Sequence, residues 1–316
     1  MRLVVIIPTV GRRDVLSRAV ARLGQQTRLP DAVIVSTTDR QFVPAEWIAT
    51  HVGADHAPSP FGFPIVCLFG DPGSCHQRNR ALDAVLGTAG IGNPPDALQR
   101  PLDADDVVTF FDDDFLPAGD YLEIVAREFA ANPDWAVLSG RVPFDGAHNQ
   151  GYTIDEGIRL LESIAPVESG RIAEFEGAYG CNMSIRAGAI GNTRFDERLP
   201  LYGWQEDIDF TTQLGKRGRV IWNSALAGVH LGTKAGRVKG VRFGYSQVAN
   251  PLYLIRKGTM SAGFGIELML RNIAANTARS VWPESYVDRR GRLYGNIVAL
   301  THAVTGRLKP EHILEL

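Results

Sequence analysis

Residues 107–114 read Val107-Val108-Thr109-Phe110-Phe111-Asp112-Asp113-Asp114. The first five are apolar or β-favouring, as in a strand covered on both faces. Three carboxylates follow at once. Side chains alternate along an extended chain, so Asp112 and Asp114 point to one side and Asp113 to the other. Two carboxylates on one side of a strand end repel unless a cation lies near them, and oxygen ligands favour Mg²⁺ or Mn²⁺. The same run, with Pro117 beyond it, also reads as an acidic surface turn. Both readings stand at this point.

Outward from this strand, the chain alternates strands and helices. Leu3–Ile7 is a second continuous β-rich run. Asp14 is placed to cap a helix whose apolar positions, Leu16, Val20 and Leu23, share one face, and Pro30 ends that pattern. Ala32–Val35 reads as strand, His76–Leu86 as helix, Tyr121–Ala131 as helix and Trp135–Ser139 as strand. Repeated βα units predict an α/β fold: a mostly parallel central sheet with flanking helices and right-handed crossovers. Ligands of such sheets bind outside the carboxyl ends of the strands. Gly87–Pro101 reads as a surface loop. The alternation weakens over Gly140–Gly180, as for an insertion. It resumes with a helix from Glu206 to about Gly218 and a strand at Val220–Trp222.

The 316 residues are 45% hydrophobic and 22% charged, an ordinary globular composition. Cys67, Cys75 and Cys181 cannot all pair and lack C-x-x-C spacing, which predicts unpaired thiols in a reducing cytoplasm and no zinc site. No run of about 18 apolar residues occurs, so no membrane span is expected. The net charge of -2 is unevenly distributed. Residues 231–316 hold 13 Lys and Arg against 5 Asp and Glu, a balance of +8, leaving -10 for 1–230. A basic tail on an acidic body suits an anionic partner: nucleic acid, a phospholipid surface or a diphosphate-linked substrate. A tail solvated or docked on its own body has the same composition. Ile266, Met269, Leu270, Ile273 and Val281 share a helical face, which fits either an interfacial helix or ordinary packing.

Glu206-Asp207 forms a second acidic centre within Gly203-Trp204-Gln205-Glu206-Asp207. An acid pair at a helix start commonly only complements the dipole. Beside Trp204 and Gly203, a carboxylate there could instead take the proton of an attacking hydroxyl. His230 ends a strand beginning near Val220; a lone histidine is more often structural than a ligand. The first turn, Pro8-Thr9-Val10-Gly11-Arg12, is no dinucleotide fingerprint. Neither a P-loop nor a G-x-S-x-G elbow is present, which removes those nucleotide and hydrolase classes.

With these residues placed, the chain resembles the family-two inverting glycosyltransferases of GT-A, Rossmann-like fold, from about Leu3 to His230. Val5-Ile6-Ile7-Pro8-Thr9, followed by Arg12 or Arg13, resembles the family's first strand and nucleotide-binding turn. Gly73-Ser74-Cys75-His76-Gln77-Arg78-Asn79-Arg80-Ala81 resembles its Arg-Asn helix start. Asp112-Asp113-Asp114 resembles the D-x-D signature, and Gly180-Cys181-Asn182-Met183-Ser184-Ile185-Arg186 the strand beside the two sugars. Glu206-Asp207 resembles the motif that carries the base.

The resemblance implies Asp207, with Glu206, as catalytic carboxylates. It implies Pro8, Thr9, Arg12, Asp39, Arg78, Asn79, Asp112, Asp113 and Trp204 around the donor, and Asp114, Asp112 and His230 on Mn²⁺ or Mg²⁺. One departure stands out: the family's Asp-Asp-Gly-Ser turn is here Ser36-Thr37-Thr38-Asp39, with Asp39 displaced. The Q-x-x-R-W motif of processive synthases is absent.

The resemblance also implies a catalytic domain over 1–230, with a nucleotide-binding half over 1–115 and an acceptor half over 116–230. A basic, mainly helical extension over 231–316 completes the chain. The partners implied are a nucleotide-sugar donor, a saccharide acceptor on a lipid diphosphate carrier and an anionic membrane face touched from the cytoplasm, with no nucleic acid. A sugar nucleotidyltransferase is the other enzyme class considered, but its Gly-rich, lysine-containing opening is missing. A non-catalytic nucleotide-sugar-binding protein on the same scaffold is the third reading.

Overall fold

The computed structural model describes residues 1–49, 60–91, 94–167, 170–234 and 239–316. Residues 92–93 of the expected Gly87–Pro101 loop and 168–169 of the Gly140–Gly180 segment lie outside the described residues. The strands are β1 (Leu3–Pro8), β2 (Ala32–Thr37), β3 (Ile65–Phe69), β4 (Val107–Phe111), β5 (Phe115–Pro117), β6 (Trp135–Asp145), β7 (Ile172–Glu174), β8 (Asn182–Arg186) and β9 (Arg219–His230). The helices are α1 (Arg13–Leu23), α2 (Ala45–Ala49), α3 (Ser74–Val85), α4 (Tyr121–Ala131), α5 (Ile154–Glu162), α6 (Ala187–Ile190), α7 (Glu206–Leu214), α8 (Gly240–Lys257), α9 (Ala262–Arg279) and α10 (Arg289–Val304).

One sheet runs β3-β2-β1-β4-β8-β6-β9-β5, with β7 paired to β9. The α/β class holds, and the parallel pairing concentrates in β3-β2-β1-β4. There the apolar runs are buried on both faces, and every residue of β2 and β4 is buried. Each such Val, Ile or Leu contributes roughly 1.5–3 kcal/mol. Beyond β4 the sheet is mixed: β8 is antiparallel to both β4 and β6, while β9 is parallel to β6. Apolar patterning marks a strand but not its direction, so this half could not be read from periodicity.

Local details differ from the sequence reading. Arg12, not Asp14, occupies the N-cap of α1; Asp14 sits in the first turn and can only complement the dipole. Helix α7 stops at Leu214, short of Gly218. The weakly patterned segment after Gly140 is partly ordered, because β6 continues to Asp145 and Thr153 forms a capping box with Glu156 to start α5.

The tail is three helices docked on the body. Buried amides of Gln247, Asn276 and Asn296 bond one another across α8, α9 and α10. Lys257 bridges Asp196 and Asp209 of the body at 2.7 Å each, and Asn250 donates to the Trp204 carbonyl at 2.7 Å. The expected apolar face of α9 is split. Met269 and Ile273 pack inward, whereas Ile266, Leu270 and Val281 stay exposed.

Candidate active site

The turn after β4 is closed by the Phe115 amide, which donates to the Asp112 carbonyl at 3.0 Å. This turn, not the strand alternation expected, sets the three carboxylates, and Arg12 Nη1 lies 2.8 Å from Asp113 Oδ1 and 3.3 Å from Asp114 Oδ2. Thr9 Oγ1 donates to Asp113 at 2.6 Å and Arg12 Nη1 at 2.8 Å, so Asp113 fastens the turn after β1. Burial pushes Asp113 up, to about 7, against the pull of Arg12 and Thr9.

Asp112 and Asp114 share the other side with His230, and one ligand atom from each lies within 4.8 Å of the others. Strand pairing makes this meeting. Phe115 of β5 is opposite His230 of β9, and His230 is opposite Asp145 of β6. The Leu231 amide also donates to the Asp114 carbonyl at 2.9 Å. His230 Nε2 faces Asp114 Oδ1 at 3.3 Å and Asp112 Oδ2 at 3.9 Å, while Nδ1 lies 2.8 Å from Asp145 Oδ1. Gly232, at φ +65°, allows the close approach, since a Cβ there would come within 2.0 Å of Gly146.

These residues fit a divalent cation. Asp114 Oδ1 is buried with no well-formed hydrogen bond, only His230 Nε2 3.3 Å away, an oxygen of the kind a cation satisfies. Two carboxylates and an imidazole are a donor set for Mn²⁺ more than for Mg²⁺. Asp145 orients the imidazole as carboxylates do for metal-binding histidines. Burial lowers His230, but Asp114, Asp145 and Asp112 outweigh it and raise it to about 10. Burial likewise opposes ionisation of Asp114, yet His230, Arg12 and the Thr233 amide hold it well below the usual carboxylate range.

The second acidic centre is joined to the first by Arg78, whose guanidinium is buried. Arg78 donates to Glu206, to Asp112 Oδ1 at 3.1 Å and to the Gly180 carbonyl at 3.3 Å. Phe110 and Phe195 lie under it at 5.9 and 5.3 Å from their ring centres. Burial pushes Glu206 up, to about 8, against the pull of Arg78. Glu206 is thus an internal partner of arginine.

Asp207 is different. It keeps some surface and accepts from the Gly180 amide at 2.7 Å and the Ile208 amide at 2.8 Å. Burial nevertheless raises its carboxyl above the ordinary value. A raised carboxylate held by two backbone N–H groups has the character of a general base.

Other expected residues stand apart. Asp39 is exposed and caps the turn after β2 by accepting from Gln41. Asn79 spends its amide on Phe195 and Glu197, pinning a loop. Trp204 lies 5.9 Å from Phe243 of α8, ring centre to ring centre. Pro8 ends β1 opposite Ser36. Three residues that the sequence reading did not single out complete the site: Asp145, Tyr179 and Gln77. The Tyr179 hydroxyl lies 3.0 Å from Asp145 and 3.3 Å from His230, and Gln77 ties Thr9 to Ser36 at 2.8 Å each. Only long-range pairing gives Asp145 and Tyr179 their place. Gln77 was within the quoted Arg-Asn segment, one residue before Arg78.

No family model matches the sequence, and no curated protein matches it. Solved structures do match. S. aureus TarS 1–349 in complex with UDP-GlcNAc superimposes with a TM-score of 0.54 at 12% identity, covering 98% of this chain and 83% of that one. A second TarS 1–349 structure gives 0.50 at 12% identity, covering 98% and 89%. The mannosyltransferase PcManGT from Pyrobaculum calidifontis, in complex with GDP-Man and Mn²⁺, gives 0.47 at 16% identity, covering 99% and 85%. At such identities the likeness to TarS is one of fold, and the chain has the expected GT-A-like α/β fold.

Proposed function

We propose that this protein is a metal-dependent, inverting, non-processive glycosyltransferase. It transfers a hexose from a nucleotide diphosphate, a UDP-sugar as first choice, to a hydroxyl of a saccharide acceptor. The observation that carries the reading is Arg78, which joins the Asp112–Asp114–His230 cluster to Glu206-Asp207 at the carboxyl edge of the sheet. The TarS structure of like fold holds UDP-GlcNAc, which supports a nucleotide-sugar donor here.

Asp114, Asp112 and His230 would hold Mn²⁺ or Mg²⁺, which when bound supplies positive charge to the leaving diphosphate. Asp113 positions the turn carrying Thr9 and Arg12 against the nucleotide. Arg78 keeps Asp112 and Glu206 apart without repulsion. Asp207 accepts the proton of the acceptor hydroxyl as that oxygen attacks the anomeric carbon from the face opposite the diphosphate. Placement of the base in this way contributes about 10²–10⁴-fold.

In this reading 1–230 is the catalytic unit and 231–316 the basic extension. The acceptor sits on a lipid diphosphate carrier at the cytoplasmic face of the membrane, in bacterial envelope or exopolysaccharide synthesis. Calorimetric titration with UDP, GDP and dTDP, with Mn²⁺ and then EDTA, tests the site. Metal-dependent binding of one nucleotide, lost in Asp114→Ala, is expected. No binding of any nucleotide in the presence of metal would overturn the proposal.

A further inference from the structure

The tail helices leave an apolar surface uncovered. On α9, Ile266 and Leu270 are 45% and 56% exposed; on α10, Ile297 and Val304 are 53% and 89% exposed. Their spacing, i to i+4 on α9 and i to i+7 on α10, puts each pair on one side of its helix. The inward sides are occupied otherwise. Asn276 of α9 bonds Asn296 of α10, and Gly295 and Ala299 of α10 are buried. A residue such as Leu300, 38% exposed, lies beside the Asn296 side of α10 and carries the apolar stripe toward α9.

At the turn joining α9 to α10 the apolar surface continues. Trp282 is 86% and Val281 58% exposed. An exposed indole beside other apolar side chains is the composition of a contact surface. Tyr286 of the same turn lies 5.4 Å, ring centre to Nζ, from Lys234, and Lys234 donates to the Gly146 carbonyl at 2.9 Å. Gly146 follows Asp145, the partner of His230. The turn that bears Trp282 therefore lies next to the wall of the acidic site, and α9 and α10 run from it.

Charge decides what covers it. Residues 262–304 of the hairpin carry five Arg against three Asp and Glu, a balance of +2, and Arg290 and Arg307 are exposed at the two ends of α10. A second copy of this chain would bring one such basic face against another. An anionic bilayer complements it: apolar side chains and an indole enter the interfacial region while arginines meet the headgroups. No helix among the described residues is long and apolar enough to cross a membrane, so contact by these side chains would be from one face.

We infer that the outward side of the α9–α10 hairpin, led by Trp282, is a docking surface for an anionic lipid bilayer. Docking there holds the mouth of the acidic site at the headgroup level. This gives the membrane contact of the proposed function its surface. Its readout needs no transfer activity, so the two fail separately.

The test is flotation of the full chain with vesicles of phosphatidylcholine containing phosphatidylglycerol, against phosphatidylcholine alone, with tryptophan emission recorded. The protein is expected to float with the anionic vesicles and to shift its emission to the blue. Trp282→Phe should remove most of that shift. Leu270→Glu with Ile297→Glu should weaken binding about tenfold or more, with an unchanged melting transition confirming the fold. Absence of flotation at low salt would overturn the inference. So would a dimer that both glutamates disrupt while vesicle binding is unaffected.

Discussion

His230 Nδ1 lies 2.8 Å from Asp145 Oδ1, so the opposite ring nitrogen faces Asp112 and Asp114. The three carboxylates come from one turn and from the end of β6, and strand pairing alone brings them around one imidazole. Because Asp145 sets the ring orientation, Asp145→Asn should weaken Mn²⁺ binding about 10–100-fold while leaving the protein folded. Calorimetry with Mn²⁺ reads the change directly. Unaltered affinity would mean that the ring is held by its backbone and not by this carboxylate.

Asp207 accepts two backbone N–H groups and still has a raised pKa because of burial. Asp207→Asn should lower turnover by at least about 100-fold with donor affinity nearly unchanged. A base acts only when deprotonated. Turnover of the wild type should therefore fall as pH drops through the raised pKa, with an acid limb above the ordinary aspartate value of about 3.9. Steady-state rates across pH would test both, and near-normal turnover of the variant would remove Asp207 from the mechanism.

Among the described residues, Arg78 bonds both Asp112 and Glu206. Arg78→Met should leave the buried Glu206 carboxyl without its partner and cost about 1–3 kcal/mol, read as a lower melting temperature. Adding Glu206→Met should recover part of that loss, since no buried polar group is then left without its partner. If the double variant is no more stable than the single one, packing against Phe110 and Phe195 outweighs the ion pair.

The tail is held to the body by Lys257 between Asp196 and Asp209. Burial opposes ionisation of Asp196, but Lys257 and Tyr253 depress its pKa overall. A depressed carboxylate contributes stability that is present above its unfolded value and lost as pH falls through the folded one. Below about pH 4, amide exchange in α8 should therefore accelerate relative to the β1–β2–β4 core. Asn substitution at Asp196 should produce faster exchange in α8 already at neutral pH.

The amino-terminal half of the sheet was legible because a buried parallel strand is an uninterrupted apolar run. Leu3–Ile7, Ala32–Val35 and Val107–Phe111 each announce themselves. Asp112, Asp113 and Asp114 were legible as three successive carboxylates after an apolar strand, although a turn and not strand alternation sets where each points. Arg78 and Glu206-Asp207 stood out by residue type within short motifs. All of this is local, fixed by positions a few residues apart.

Contacts across the chain are another matter. The direction of β8, the meeting of Asp145 and Tyr179 with His230, and the bridging of two acidic centres by Arg78 join residues 34 to 128 positions apart. Asp39 and Asn79 carried motif-like signals, yet their side chains are engaged in a local cap and a loop pin. On α9, periodicity alone made one apolar face. Only packing against α8 and α10 decided that Met269 and Ile273 turn inward and that Ile266 and Leu270 remain in contact with solvent. Residue type and spacing determined the strands, the helices and the chemistry available; which side chains share a pocket depended on strand pairing and helix packing, whose energies are summed over distant parts of the chain.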